Sequence, residues 1–325
     1  MTFPGFPVHL KAVLEAKLEG FSRKHAARRA ALISTTYRSG GNSDAIQSEA
    51  DALAYALARM PATYAAVTAC LAALQAARPD FAPQSLLDVG AGPGTASFAA
   101  AEAFASLGTF TLLDANPALR ALALELAHAN ARLGKLSYHA GDARSLLAEA
   151  EPADLVVASY LIGELSEGER RELAALAWAK TADVLLILEP GTSRGYDRIL
   201  AVRAQLIATG AHVLAPCPHD APCPLQPPDW CHFAQRLPRS RAHKQVKGAD
   251  VPFEDEKFSY VVLVRKPVAL RPARVLAPPH LSKVAVTAKL CTADGLVQAK
   301  IPHRNKPAYA AACRWRWGDV VPEKS

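Results

Sequence analysis

The sequence predicts an α/β fold built on a Rossmann-like sheet, and three observations lead to this prediction. From Ser85 onward, short apolar runs alternate with stretches of helical periodicity, which is the pattern of βαβ units and a parallel sheet. The first apolar run, 86–89, passes directly into a glycine-rich turn and then into a helix. Half of the 325 residues are hydrophobic and 21% are charged, a composition typical of a globular protein with a sizeable core.

The glycine-rich turn carries the first functional signal. It reads Asp88-x-Gly90-x-Gly92-x-Gly94, and its glycines let the backbone turn sharply and approach a ligand closely. A dinucleotide fingerprint needs G-x-G-x-x-G, but Thr95 stands where its third glycine would fall. The D-x-G-x-G-x-G form resembles motif I of S-adenosylmethionine (SAM)-dependent methyltransferases. A tight strand–helix turn without a ligand is the alternative interpretation.

Acidic residues follow two later strands of the predicted sheet. Further strands are expected at 110–113, 136–139, 155–159, 184–188, 212–214 and 258–264. Asp114 lies 20 residues after Gly94, where an acid accepts hydrogen bonds from ribose hydroxyls. Asp142 follows the next strand, within reach of an adenine amino group, although helix N-capping is an alternative role for both acids. The predicted SAM site comprises Asp88, Gly90, Gly92, Gly94, Asp114, Asp142 and Ser159.

The loop after the fourth strand, 159–165, lies where methyltransferases place substrate-side residues. It lacks the N-P-P-Y type motif with which amino-group methylases polarise a nitrogen, and it contains no cysteine for carbon methylation. Tyr160 and Glu164 are the candidates for catalysis or substrate contact, and a purely structural role is the alternative.

Composition and the positions of turn-forming residues divide the chain into three parts. Residues 1–80 form a helical N-terminal extension, with one helix over 8–37 and a second that Pro61 breaks or restarts. Residues 81–265 form the SAM-methyltransferase-like domain. Residues 266–325 form a small basic C-terminal β region.

Charge is distributed unevenly among these parts. Residues 1–80 carry 9 basic against 6 acidic residues, or +3; residues 81–231 carry 10 against 17, or −7; residues 232–325 carry 18 against 7, or +11. The C-terminal region also predicts a hairpin with strands 284–290 and 296–301, followed by basic and aromatic residues that suit phosphate contact and base stacking. This excess of positive charge predicts that the C-terminal part binds RNA.

A cysteine-rich insertion at 215–235 indicates a metal site. Cys217, Cys223 and Cys231 stand at C-x5-C-x7-C spacing in a proline-dense loop that offers little apolar periodicity to bury them. Zinc and an iron–sulfur cluster are both consistent with three such thiolates, and free thiols are the structural alternative. The fourth ligand stays open among Cys291, Cys313, Cys70, His219 and His232.

Nothing in the sequence predicts export or membrane insertion. The N-terminus has prolines and acids instead of an apolar signal core, and the longest uncharged run, 60–77, is rich in alanine and reads as a buried helix. We therefore expect a cytoplasmic protein with no membrane partner, and we also expect it to be a monomer.

The residues together resemble a known family. The chain is similar to the bacterial branch of the Rsm-type, methyltransferase-like proteins of the mitochondrial small ribosomal subunit. The matching stretches are 59–64, the glycine loop, 188–192, 217–224, 230–233, 256–260, 290–295 and 317–319.

This resemblance implies a SAM-methyltransferase fold, the RNA of the small ribosomal subunit as partner, and a 4Fe–4S cluster on Cys217, Cys223, Cys231 and Cys291. The leading hypothesis is a SAM-binding iron–sulfur protein that acts on the small subunit as an rRNA methyltransferase or as an assembly factor. One alternative is a non-catalytic RNA-binding assembly protein with a structural zinc or iron–sulfur site. Another is a small-molecule SAM methyltransferase.

Overall fold

The computed structural model describes residues 5–38, 41–248, 250–268 and 271–321, which form two sheets with flanking helices. The helices are α1 (Val8–Glu19), α2 (Arg23–Arg38), α3 (Glu49–Ala77), α4 (Thr95–Ala103), α5 (Pro117–His128), α6 (Ala143–Glu149), α7 (Glu167–Ala179), α8 (Ser193–Ala208), α9 (Arg241–Lys247) and α10 (Lys306–Ala312). The strands are β1 (Ser85–Val89), β2 (Thr109–Asp114), β3 (Ser137–Ala140), β4 (Ala153–Ser159), β5 (Thr181–Pro190), β6 (His212–Ala215), β7 (Phe233–Pro238), β8 (Phe253–Val264), β9 (Ala273–Val275), β10 (His280–Leu281), β11 (Ala285–Thr292), β12 (Gly295–Pro302) and β13 (Val320–Val321).

The larger sheet has the strand order β3-β2-β1-β4-β5-β8-β6, and β7 pairs with the first half of β8. Strands β1 to β5 run parallel, whereas β8 is antiparallel to β5 and β6. The order of the first five strands reverses between β1 and β4, and ligands bind beyond the carboxyl ends of the strands at such a switch point. This topology confirms the predicted Rossmann-like α/β fold and places the glycine loop at the switch point.

The single helix expected over 8–37 is instead two helices, α1 and α2. The Gly20 N–H donates to the Lys17 carbonyl at 3.2 Å, and the Phe21 N–H donates to the Leu18 carbonyl at 3.0 Å. These hydrogen bonds join residues three apart and end α1 at Glu19, and α2 begins at Arg23. The sequence pattern missed the break because apolar residues continue at helical spacing on both sides of it.

Pro61 does not interrupt α3, contrary to the sequence prediction. Proline removes one backbone donor and crowds the preceding turn of a helix. Here Met60 and Ala62, on either side of it, are buried, so packing holds the helix across the lost hydrogen bond. The helix begins at a capping box in which Ser48 and Asp51 satisfy each other's backbone N–H groups.

By length and composition alone, α3 could cross a membrane, and it is the one such helix among the described residues. However, 72% of its most apolar window is buried inside the protein. Tyr64, Val67 and Leu71 belong to the core that α3 shares with α4 and the main sheet. This burial is what the core helix of a globular domain requires.

The smaller sheet contains β9 to β13. The predicted hairpin is present as β11 and β12, which pair along their whole length and turn at Thr292 and Gly295. On its other edge β11 pairs with β9, which brings Cys291 opposite Arg274. Arg274 is buried, and its guanidinium donates to the Pro216 carbonyl at 3.3 Å. The smaller sheet is therefore attached to the cysteine-rich loop of the larger one.

Candidate cofactor site and cysteine site

The glycine loop depends on backbone conformations that other residues rarely adopt. Gly90, Gly92 and Gly94 have φ values of +68°, +53° and +77°. A Cβ on Gly90 would also lie 2.8 to 3.0 Å from the side chain of Leu161, which packs against the loop. All three positions require glycine for conformation, and Gly90 requires it for space as well.

Asp88, at the end of β1, is fully buried under the loop. Its Oδ2 accepts hydrogen bonds from the Ser97 N–H at 3.1 Å and the Ser97 hydroxyl at 2.7 Å, which tie β1 to α4. Its Oδ1 is buried and has no hydrogen-bond partner among the described residues. Burial raises the pKa of Asp88 to about 7. A ligand that carries positive charge or N–H donors would stabilise the ionised form of this carboxylate.

The two predicted nucleoside-binding acids occupy different settings. Asp114 accepts the Gly92 N–H at 2.8 Å and the Asn116 N–H at 2.7 Å, and each of its oxygens keeps a second lone-pair site. Asp142 caps α6 by accepting the Ser145 N–H at 3.0 Å. Tyr138, which sequence reasoning missed, donates its hydroxyl to the Gly92 carbonyl at 2.8 Å. Asp114 of β2 and Tyr138 of β3 thus both hold the glycine loop in place.

Ser159 ends β4, and Tyr160 follows it with a φ of 58°, the one positive φ among the described non-glycine residues. The Tyr160 hydroxyl donates to Glu256 Oε1 at 2.9 Å, and Arg59 donates to the same oxygen at 3.2 Å. Sequence reasoning did not connect Arg59 with Glu256, because they lie on α3 and β8. This network fixes an uncommon backbone conformation beside the glycine loop.

Two carboxyl groups with raised pKa values lie near the carboxyl ends of β4 and β5: Glu164 follows β4, and Glu189 is the penultimate residue of β5. Burial raises the pKa of Glu164 to about 7, and its side chain accepts the Ser43 N–H at 3.3 Å. Burial also raises the pKa of Glu189 to about 7, despite an ion pair with Arg198 at 3.2 Å. Glu189 further accepts the Gly163 N–H at 3.2 Å, so it holds the loop that carries Glu164.

The segment 43–46 crosses the carboxyl edge of the sheet above the glycine loop. Asn116, after β2, donates to the carbonyls of Ser43 and Ile46 at 3.0 and 2.9 Å. Because Ser43 also binds Glu164 after β4, the segment spans from β2 to β4. The N-terminal extension therefore covers the candidate cofactor site.

Three cysteines of the loop between β6 and β7 approach one cysteine of β11; we call Cys217, Cys223, Cys231 and Cys291 the cysteine site. Burial raises the pKa of Cys231 well above its usual range, and the nearby thiols of the other three raise it further. Elsewhere, Cys70 is buried within α3 and Cys313 follows α10. Across 5–38, 41–248, 250–268 and 271–321, no three His, Cys, Asp or Glu residues are arranged as a ready metal-ligand set.

Helix α8 contacts the cysteine-rich loop through one face. The Tyr196 hydroxyl lies 3.1 Å from Cys223 Sγ. Two turns later Arg203 donates to the carbonyls of His219 and Ala221 at 2.7 and 2.9 Å. On the opposite side of the loop, His219 Nε2 lies 3.7 Å from Cys291 Sγ.

Two buried arginines lie at the cysteine site and would suit a thiolate-bound metal group. Arg203 is 3% exposed, and its Nε is buried without a hydrogen-bond partner in the described part of the chain. Arg274 is buried beside Cys291. Two buried guanidinium groups would offset the negative charge of several thiolates, and the unpaired N–H is a donor for sulfur. Sequence reasoning missed both arginines because neither stands near a cysteine in the chain.

The sheet topology and the glycine loop define a methyltransferase-like protein. A family model described as Mitochondrial small ribosomal subunit Rsm22 matches residues 49–322, and the chain belongs to this family. The resemblance noted from the sequence is thereby confirmed at the level of the family, though not for a bacterial branch.

Curated relatives support the same assignment. The chain is 30% identical over 292 residues to the human "Ribosome assembly protein METTL17, mitochondrial", covering 83% of this chain and 62% of that protein. It is 26% identical over 331 residues to the fission yeast "Rsm22-cox11 tandem protein 2, mitochondrial", with 83% and 43% coverage. The chain thus spans less than two thirds of these relatives. The expected bacterial cytoplasmic location is wrong on this comparison, because the family and its relatives are mitochondrial.

Solved structures also match the chain, at low sequence identity. A putative RNA methyltransferase from Pyrococcus horikoshii has a TM-score of 0.41 at 15% identity, with 64% of this chain and 84% of that chain covered. A magnesium protoporphyrin IX methyltransferase from Synechocystis with bound SAM has a TM-score of 0.42 at 14% identity, with 63% and 80% covered.

Proposed function

We propose that this protein binds SAM at the glycine loop and acts in assembly of the small ribosomal subunit, in mitochondria as its relatives' names state. The proposal of SAM binding rests mainly on the glycine loop. Its three glycines have left-handed backbone conformations and lie at the switch point, beside a buried Asp88 that has one carboxylate oxygen without a hydrogen-bond partner among the described residues. The proposed role in assembly of the small ribosomal subunit rests on membership of the Rsm22 family and on the name of the human relative.

The residues around the loop suit the parts of SAM. The sulfonium and ammonium groups carry positive charge, which the unpaired Oδ1 of Asp88 would attract. Asp114 has lone-pair capacity left for ribose hydroxyls, and Asp142 stays the candidate for the adenine amino group. Ser159, at the end of β4, completes the proposed set.

We further propose that the cysteine site holds a 4Fe–4S cluster on Cys217, Cys223, Cys231 and Cys291. Such a cluster takes four thiolates and would supply either electron transfer or a rigid cross-link between the cysteine-rich loop and β11. Zinc is the competing occupant, since Cys291 has His219 as a nearby nitrogen donor.

RNA contact is proposed for the C-terminal region. Its exposed cations form no ion pair with any described carboxylate: Lys283, Lys300, Arg304, Lys306, Arg314 and Arg316. Unpaired cations on a small sheet suit the phosphates of ribosomal RNA. Such binding would weaken steeply as the salt concentration rises, which a small-molecule methyltransferase would not show.

Methyl transfer is the second candidate activity, with Tyr160 and Glu164 beside the proposed methyl donor. The pKa of Glu164, raised to about 7, places its carboxyl in the range where general bases work. However, the Tyr160 hydroxyl is already bound to Glu256. The geometry therefore supports SAM binding more directly than turnover.

The test combines three measurements on protein purified without oxygen. Calorimetry is expected to detect one SAM per chain in the wild type and loss of binding in Asp114→Ala. Iron and sulfide analysis is expected to find a 4Fe–4S content, and stoichiometric zinc without iron would overturn the cluster. Sedimentation with immature small subunits, followed by mass mapping of their RNA, separates assembly from catalysis.

A further inference from the structure

A cavity of about 930 Å³ lies next to the proposed SAM site but is separate from it. Its walls come from α2, α3, α8 and α9, from the carboxyl ends of β4 and β5 and from the amino end of β8, and they include no residue of the glycine loop. Glu164 lies between the two spaces, since it lines the cavity and also binds the segment 43–46 above the loop. A ligand in this cavity would therefore lie beside the methyl donor.

The inner end of the cavity is rich in hydrogen-bond acceptors. Carboxylates from three elements reach it, on Glu164, Glu189 and Glu256, and Tyr160 adds a phenol. Each carboxylate is fixed by protein donors: Ser43 for Glu164, Gly163 and Arg198 for Glu189, Arg59 and Tyr160 for Glu256. Since a carboxylate has about four lone-pair sites, Glu164 and Glu256 keep acceptor capacity for a ligand with N–H groups, whereas the Glu189 side chain is fully buried behind them.

The rim of the cavity carries positive charge, in contrast to the carboxylates at its inner end. Arg194 and Lys257 are exposed, line the cavity, and form no ion pair or side-chain hydrogen bond among the described residues. Arg194 belongs to the first turn of α8, where the Thr192 hydroxyl accepts the Gly195 N–H at 3.1 Å. Unpaired cations at the N-terminal end of a helix favour an anion at this edge.

One wall of the cavity is aromatic. Tyr37 and Tyr55 line it with ring centroids 6.0 Å apart and an interplanar angle of 37°. Ala58 and Ile33 extend this wall with apolar surface. A flat ring would pack on such a surface, because stacking needs only an exposed aromatic face.

These three features describe a ligand with a flat ring, N–H groups at its inner edge and a phosphate at its outer end. We propose that the cavity takes one nucleotide of RNA turned out of its strand, with the base on the tyrosine wall and its phosphate at Arg194 and Lys257. Enzymes and binding proteins that read single bases in RNA use this arrangement of unstacked base and aromatic wall. The proposal rests on the proposed function, whose RNA partner it makes more specific.

The test uses intact, oxygen-free protein and short single-stranded RNA that carries 4-thiouridine. Cross-linking and peptide mass mapping are expected to place RNA adducts on the stretches 160–164 or 189–194. The double variant R194E/K257E is expected to lower RNA affinity at least tenfold and to abolish these adducts, since two phosphate-directed cations are reversed. SAM binding, measured by calorimetry, is expected to stay within twofold of the wild type.

A matched control reverses two exposed cations elsewhere on the same domain, in K135E/R171E. An equal loss of affinity in the control would overturn the cavity assignment, because it would indicate general charge attraction. Tyr37→Leu, which keeps apolar bulk, is expected to remove the adducts without changing SAM affinity; unchanged adducts in this variant would contradict the proposal.

Two further outcomes separate the possible failures. Free nucleoside monophosphates, added at the nucleotide concentration of the RNA, are expected not to compete, and complete competition would overturn the assignment to an RNA strand. If wild-type protein binds neither SAM nor RNA, the proposed function fails. If it binds both while R194E/K257E binds and cross-links RNA as well as wild type does, only the cavity inference fails.

Discussion

The glycine loop and the cysteine site are built in opposite ways. The glycine loop is a single stretch of seven positions, 88–94, whose backbone conformation follows from the glycines themselves. The cysteine site joins a loop between β6 and β7 to a strand of a different sheet, and α8 supports it from a third direction. A local site is encoded by residue types at fixed spacing, whereas an assembled site depends on the whole fold.

This difference predicts that the two sites fail separately. Changes in the loop should abolish SAM binding and leave the metal in place. Changes at the cysteine site should release the metal and loosen the smaller sheet. The following substitutions test that separation, beginning with the largest expected effect.

Cys217→Ser is expected to lower the iron content to near zero, because a hydroxyl is a poor substitute for a thiolate. Metal binding contributes folding free energy in sites of this kind, so the thermal midpoint should also fall by several degrees. Iron analysis and a thermal melt measure the two effects. Cys313→Ser, outside the cysteine site, is the control and should retain full iron. Equal iron in both variants would contradict the assignment of the ligands.

Gly90→Val is expected to weaken SAM binding more than 100-fold while the iron content is unchanged. Valine is strained at a φ of +68°, and its side chain would collide with Leu161. Calorimetry measures the affinity. Gly108→Ala is the matched control, because nothing lies within 4 Å of its Cβ position. Normal SAM binding by Gly90→Val would place the cofactor elsewhere.

Arg203→Met is expected to reduce metal affinity about tenfold, the usual scale for loss of a residue that supports metal ligands. The substitution keeps an apolar stem but removes the buried charge and the donors to His219 and Ala221. Iron retention during a chelator challenge, followed by visible absorption, is the measurement. Arg171→Met, on an exposed position of α7, should behave as wild type.

SAM affinity is expected to rise by up to about tenfold as the pH increases from about 6 to about 8. The pKa of Asp88 is raised to about 7 by burial, so its carboxyl is largely neutral at the lower pH and ionised at the higher one. Only the ionised form attracts the positive charge of SAM. Asp88→Asn should flatten this dependence, leaving what Glu164 contributes with its similarly raised pKa. An unchanged slope in Asp88→Asn would exclude this role for Asp88.

The sequence was informative where function is local. Alternating apolar runs predicted every strand of the main sheet except β7, and the D-x-G-x-G-x-G spacing located the glycine loop. The break at Gly20 and the continuity of α3 through Pro61 escaped prediction, since packing overrode the local signals there. Arg203 and Glu256 could not be connected to their sites from the sequence, because tertiary structure alone brings α8 and β8 to them.

The central claim is that one chain carries a SAM site and a separate four-thiolate metal site. Native mass spectrometry of the protein, prepared without oxygen and mixed with SAM, tests both parts in one spectrum. The account predicts a species whose mass equals the chain plus one 4Fe–4S cluster plus one SAM. A chain that carries a single zinc ion and no SAM would contradict it.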